Sequence, residues 1–223
     1  MSEILDEVAR RRIVAVLRAA DASRFPATAR ALAAGGITCV EVTMTSRGAL
    51  ESVAALREQG LIVGVGSITS PAQAAEACAA GAAFVVTPAR IEGVVGRCAR
   101  RDVPVVMGSL TPSEILAAVR EGAAAVKVFP AAAFGPGYLR HIRAPLPHLR
   151  LMPTGGITVA TAADYLQAGA FAIGLGTPLV GAADTPLDEI TRRAEALVGS
   201  CTRPSHPTFA GRPGHPEEGR RHP

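Results

Sequence analysis

Lys127 is the only lysine in a chain of 223 residues, and the other basic side chains are arginines apart from a few histidines. It lies in the apolar run Ala124-Ala125-Val126-Lys127-Val128-Phe129-Pro130, which reads as a buried β-strand. Arginine stays protonated in proteins, whereas a desolvated lysine can lose its proton and act as an amine nucleophile. Such an amine forms a Schiff base with a carbonyl. The plainer alternative is a lysine that snorkels to the strand end and pairs with a carboxylate. Glu41 stands in a second run of the same kind, Thr38-Cys39-Val40-Glu41-Val42-Thr43. Side chains alternate faces along a strand. Lys127 therefore shares a face with Ala125 and Phe129, and Glu41 shares one with Cys39 and Thr43. The branched valines take the opposite faces, where outer helices would pack. An acid and an amine then point into one interior. They either form a buried ion pair that joins two strands, or they do chemistry. In the second case Lys127 attacks a ketone, the iminium weakens the neighbouring carbon–carbon bond, and Glu41 moves the protons, a contribution of ~10²–10⁴ in rate.

Two glycine turns add an anion site. Pro153-Thr154-Gly155-Gly156-Ile157 and Gly174-Leu175-Gly176-Thr177 each follow a short apolar run. Glycines let a ligand approach the backbone, and paired turns of this kind suit a phosphate; the alternative is glycines needed only for tight turns. Arg18 ends an apolar run on the same face as Val14 and Val16, where a guanidinium could take a carboxylate; an exposed cation at a strand end is the alternative. Ser67, Pro88 and Gly108-Ser109 stand just after three further runs.

The elements that must hold these groups alternate regularly. Strands are expected at 13–18, 38–43, 61–66, 83–87, 103–107, 125–129, 150–153 and 170–175. Helices are expected at 24–34, 48–59, 71–80, 91–100, from Thr111 or Ser113 to Glu121, around 138–143, and at 159–168 and 187–198. Strict alternation implies parallel strands, and eight units imply a closed (β/α)8 TIM barrel. The other arrangement is an open doubly wound sheet, but Arg18-Ala19-Ala20-Asp21 stands where its GxGxxG turn would be. In a barrel, reactive groups come from the C-terminal strand ends. Residues 1–199 form one domain in this reading. Residues 200–223 are rich in proline, glycine, arginine and histidine and are expected to be a disordered tail.

Composition narrows the functions. The net charge of +4 owes +2 to the tail, which has Arg203, Arg212, Arg220 and Arg221 against Glu217 and Glu218. There is no tryptophan and no basic stripe interleaved with aromatics, so nucleic-acid binding is not expected. Cys39, Cys78, Cys98 and Cys201 are widely spaced and form no CxxC pair, which suits free thiols in a reducing compartment. No histidine precedes His141, so no histidine-based metal site is expected in the barrel. Without an apolar leader or a membrane-length apolar run, the reading is a cytoplasmic protein.

Several segments resemble the bacterial KDPG/KHG aldolases in order and spacing. They are Glu41-Val42-Thr43-Met44-Thr45, Gly64-Val65-Gly66-Ser67, Thr87-Pro88, Gly108-Ser109-Leu110-Thr111-Pro112-Ser113-Glu114, Val126-Lys127-Val128-Phe129-Pro130-Ala131 and Pro153-Thr154-Gly155-Gly156-Ile157. The resemblance runs from about Ile13 to Val198 and implies a metal-free, cofactor-free class I aldolase. Such enzymes cleave 2-keto-3-deoxy-6-phosphogluconate (KDPG) to pyruvate and glyceraldehyde 3-phosphate, and some take 4-hydroxy-2-oxoglutarate. It implies that Lys127 is the Schiff-base lysine and Glu41 the general acid/base. Pro88, Phe129 and Thr154 would meet the pyruvyl part, Ser67 would keep the hydroxyl of a substrate-binding family threonine, and Gly155, Gly156, Gly176 and Thr177 would hold the phosphate. It also implies a homotrimer. One position departs: Thr45 stands where well-known members carry a substrate-binding arginine, with Arg47 two residues on. Arg18 could take over the carboxylate. That arrangement, with the run Ala133–Tyr138, also resembles the branch acting on the galactonate isomer (KDPGal). A phosphosugar isomerase or synthase, and a non-catalytic phosphometabolite-binding barrel, are the readings from other classes.

Overall fold

The computed structural model describes residues 3–202. In chain order the first half runs α1 (Glu3–Arg11), β1 (Ile13–Leu17), α2 (Phe25–Ala34), β2 (Cys39–Thr43), α3 (Ala49–Glu58), β3 (Ile62–Gly66), α4 (Pro71–Ala79), β4 (Phe84–Val86) and α5 (Val94–Ala99). The second half runs β5 (Val105–Ser109), α6 (Pro112–Arg120), β6 (Ala125–Val128), a 3-10 turn (Ala131–Ala133), α7 (Gly135–Arg143), β7 (Leu151–Pro153), α8 (Ala162–Gln167), β8 (Ile173–Leu175), α9 (Thr177–Val180) and α10 (Leu187–Thr202).

The eight strands pair in parallel in the order β7-β6-β5-β4-β3-β2-β1-β8. The remaining seam, between β7 and β8, is bridged by the Phe171 N–H donating to Leu151 O at 3.1 Å and by a parallel bridge between Thr154 and Gly174. The expected (β/α)8 TIM barrel is therefore what the chain forms, its β7–β8 seam bridged at the turn that carries Thr154.

Two apolar layers hold it. Outward-facing Val40, Val42, Val63, Val65, Val126 and Val128 are buried under the helices. The inner layer contains Val14, Cys39, Phe84, Val86, Val106, Ala125 and Met152. Leu5 and Val8 of α1 join this inner layer, so the N-terminal helix plugs the bottom of the barrel. Branched residues fill barrel interiors in this way. Phe84 fits because its neighbour in register is Gly64, where a Cβ would lie 2.2 Å from the ring.

Several boundaries differ from the sequence reading for local reasons. β5 starts at Val105, not residue 103, because the Val103 N–H caps α5 through Cys98 O and Pro104 has no N–H to give. α5 starts at Val94 behind Gly93, which is left-handed at φ 78°. α8 starts late because the Thr158 and Thr161 hydroxyls hold the preceding turn. The tail expected from residue 200 overlaps the end of α10, which runs to Thr202 with Cys201 buried. The rest of that tail lies outside the described residues.

Candidate active site

β2 and β6 stand four strands apart around the ring in either direction, so they face each other across the barrel. Glu41 is 1 % exposed and Lys127 5 % exposed. Lys127 Nζ lies 3.6 Å from Glu41 Oε1, slightly beyond hydrogen-bonding range. Glu41 Oε2 is buried and accepts no hydrogen bond. Phe129, at the exit of β6, sets its ring centroid 5.5 Å from Nζ. A lysine in so apolar a setting is held by one carboxylate and one ring face.

Gly66 on the neighbouring strand makes room for the carboxylate of this pair. Lys127 is in register with Gly108 on β5, and Glu41 with Gly64 on β3. Gly66, two residues further along β3, lies under the Glu41 carboxylate. A Cβ there would stand 1.9 Å from Oε1 and 2.4 Å from Cδ. Gly174 does the same for Thr154, whose Oγ1 would be 2.4 Å from a Cβ at 174.

Lys127 opens onto a cavity of about 220 Å³ at the C-terminal strand ends. Arg18, Phe129, Thr154, Gly155, Gly156, Gly176 and Thr177 line it with Lys127. Gly155 and Gly156 are consecutive left-handed residues, at φ 93° and 75°, and a Cβ at Gly156 would lie 2.4 Å from that of Ala132. Thr177 opens α9, a short helix that the sequence reading did not place. Arg18 donates from Nη2 to Ser67 Oγ at 3.3 Å. Ser67 itself has φ 62°, an uncommon conformation for a residue with a Cβ.

The remaining candidates are placed differently. Glu41 sits behind Lys127 and does not line the cavity. Thr45 is exposed, donates its hydroxyl to Thr43 Oγ1 at 3.2 Å and does not line the cavity. Pro88 is half-buried, with its backbone against Gly108, where a Cβ would meet its carbonyl carbon at 2.3 Å. Val16, Ile157, Pro178 and Val180 line the cavity without being singled out by the sequence. Of these, Val16 was within reach, since it shares a strand face with Arg18. Among the described residues no group of three His, Cys, Asp or Glu side chains is placed to hold a metal ion, and no helix is long and apolar enough to cross a membrane.

A parallel barrel with a buried lysine and carboxylate opening onto a glycine-lined cavity is the construction of a carbon–carbon lyase of the Schiff-base class. Residues 4–193 match the family "KDPG and KHG aldolase". The 2-dehydro-3-deoxy-phosphogluconate aldolase of Treponema pallidum is 35% identical over 169 residues, covering 74% of this chain and 80% of that one. The 2-dehydro-3-deoxy-6-phosphogalactonate aldolase of Escherichia coli is 28% identical over 190 residues, covering 83% and 92%. Among solved structures, the KDPG aldolase of Legionella pneumophila, with pyruvate captured as a covalent carbinolamine, aligns with a TM-score of 0.76 at 26% identity, over 87% of this chain and 98% of that one. This chain belongs to the KDPG and KHG aldolase family.

Proposed function

We propose that the protein cleaves KDPG to pyruvate and glyceraldehyde 3-phosphate through an imine on Lys127. The observation that carries this reading is the 3.6 Å separation of Lys127 Nζ and Glu41 Oε1 at the base of the cavity. That is just beyond hydrogen-bonding reach, so a proton passes through one water or after a small closing movement of the pair. Lys127 gives a proton to Glu41 and attacks the C2 ketone. The carbinolamine takes a proton from Glu41 at its hydroxyl and loses water, leaving an iminium. Glu41 then removes the proton of the C4 hydroxyl. The C3–C4 bond breaks, its electron pair moves into the iminium as an enamine, and the aldehyde leaves. Glu41 returns the proton to C3, and water hydrolyses the pyruvyl imine to free the amine.

In the same reading Arg18, steadied by Ser67, takes the substrate carboxylate, and Thr154 and Phe129 flank the pyruvyl unit. Pro88 supports the cavity wall from outside it. The turn at Gly155-Gly156 and the Gly176-Thr177 backbone receive the phosphate. A cytoplasmic homotrimer completes the proposal, and light scattering of the purified chain tests its assembly.

A second reading is cleavage of the galactonate isomer. It is favoured by one observation: the guanidinium at the cavity comes from Arg18 on the β1 exit, whereas Thr45 stays outside. Measuring kcat/KM for KDPG, KDPGal and unphosphorylated 4-hydroxy-2-oxoglutarate decides between them. KDPG should be the best substrate and the unphosphorylated one much the poorest. Preference for KDPGal would replace the first reading with the second, and equal rates with and without phosphate would remove the phosphate role.

A further inference from the structure

Two of the four cysteines meet away from the cavity. Cys78 lies on α4 and Cys98 on α5, and these helices pack side by side on the outside of the barrel. Their sulfurs are 3.7 Å apart, in van der Waals contact. The two thiols differ in access. Cys98 is fully buried, and burial, followed by the neighbouring Cys78, pushes its pKa up to about 12. Cys78 keeps 7 % of its surface and borders an open hollow of about 430 Å³. Arg57 and Arg101 line the same hollow. The Arg57 guanidinium lies over Gly81, three residues beyond Cys78, with Nη1 2.4 Å from where a Cβ would stand. Neither arginine is ion-paired among the described residues.

We propose that Cys78 and Cys98 are a disulfide-forming pair, oxidised through Cys78 by an anionic low-molecular-weight disulfide that the two arginines attract. The Cys78 thiolate attacks one sulfur of the reagent, forming a mixed disulfide and releasing one thiolate. The Cys98 thiol then loses its proton to that thiolate or to solvent and attacks Cys78 Sγ, expelling the second thiolate. Two protein thiols are oxidised, and one external disulfide is reduced to two thiols. Bond formation requires both side chains to rotate until the 3.7 Å gap closes to the ~2.05 Å of an S–S bond. High thiol pKa suits the resolving position, since Cys98 stays protonated and unreactive until Cys78 carries a leaving group. The other two cysteines lack these features. Cys39 is sealed in the barrel interior, and burial raises its pKa far above the ordinary thiol value. Cys201 is buried beside Ser200, and burial raises its pKa too, with no second cysteine sulfur in contact among the described residues.

The test incubates the purified full chain with oxidised glutathione, unfolds it in the presence of N-ethylmaleimide to block the remaining thiols, and maps the peptides. The expected product links the Cys78 and Cys98 peptides, with Cys39 and Cys201 alkylated. Cys98→Ala should stop at one glutathione on Cys78, and Cys78→Ala should leave Cys98 free. Oxidised glutathione should act faster than cystamine, a dicationic disulfide, and added salt should narrow the difference. A map with all four cysteines alkylated, or with glutathione on Cys201 or Cys39 instead, would overturn the proposal. So would a glutathione adduct on Cys98 in the Cys78→Ala variant. Faster reaction with cystamine would overturn the part given to the arginines. None of these outcomes bears on imine formation at Lys127, which is assayed separately.

Discussion

Gly66 holds open the space that the Glu41 carboxylate occupies: a methyl at position 66 would stand 1.9 Å from Oε1. The atoms it would meet are the far end of a flexible side chain, and Gly66 is not left-handed. Gly66→Ala should therefore fold and melt close to the parent, while pushing the carboxylate away from Lys127. We expect kcat to fall by ~10²–10⁴, the usual range for a lost acid/base, and Glu41→Gln to fall similarly. Lys127 should still be trapped by pyruvate in the glycine variant, but more slowly than in the parent. Thermal melts beside steady-state kinetics check this; an unfolded or fully active Gly66→Ala protein would contradict it.

Arg18 is the guanidinium that lines the cavity and is held to Ser67 at 3.3 Å. A charge-assisted hydrogen bond contributes about 1.5–3 kcal/mol. Arg18→Ala should accordingly raise KM by roughly 10- to 100-fold. Ser67→Ala should act in the same direction and more weakly, since it leaves the cation in place.

Gly156 combines a left-handed backbone with a close approach to Ala132. Gly156→Ala should distort the turn and raise KM for the phosphorylated substrate, with little effect on trapping of pyruvate alone. Comparing the two readouts separates a phosphate contact from general damage to the barrel.

The inward direction of Lys127 and Glu41 was legible because strand periodicity fixes it from residue types alone, and the valines on the opposite faces agree. The eight-unit barrel followed from the same alternation. What the sequence hid was distance and company. Gly66 read as an ordinary strand glycine and Gly174 as part of an anion-binding turn, because a glycine gives no sign of which side chain lies over it. Ile157, Pro178 and Val180 reach the cavity only through closure of the seam between β7 and β8. Thr45 follows β2 in the position of a family arginine, yet its hydroxyl turns to Thr43. The late start of β5 came from Pro104, whose missing N–H outweighs the apolar run around it.

Stability should show its own pH dependence at α6. Backbone N–H groups of Thr111 and Leu110 donate to Glu114, closing a capping box and holding its carboxyl below the usual carboxylate range. A depressed folded-state value means that the stabilisation is present above the unfolded-state pKa and is lost as pH falls through the folded-state one. Glu114→Ala should lower Tm at neutral pH by about 2–4 °C, the shift expected for ~1 kcal/mol in a chain of this size. In acid the difference from the parent should disappear; a gap that persists there would remove the carboxylate from the explanation.

Borohydride reduction of the protein in the presence of pyruvate, followed by mapping of the adduct, tests imine formation at Lys127. Because Lys127 is the only lysine, the alternatives reduce to that side chain and the N-terminal amine. One reduced pyruvyl group is expected on the peptide containing Lys127, and none in Lys127→Arg, which should also lose cleavage activity. A parent protein that cleaves substrate without gaining this mass, or a Lys127→Arg variant that keeps its activity, would contradict it.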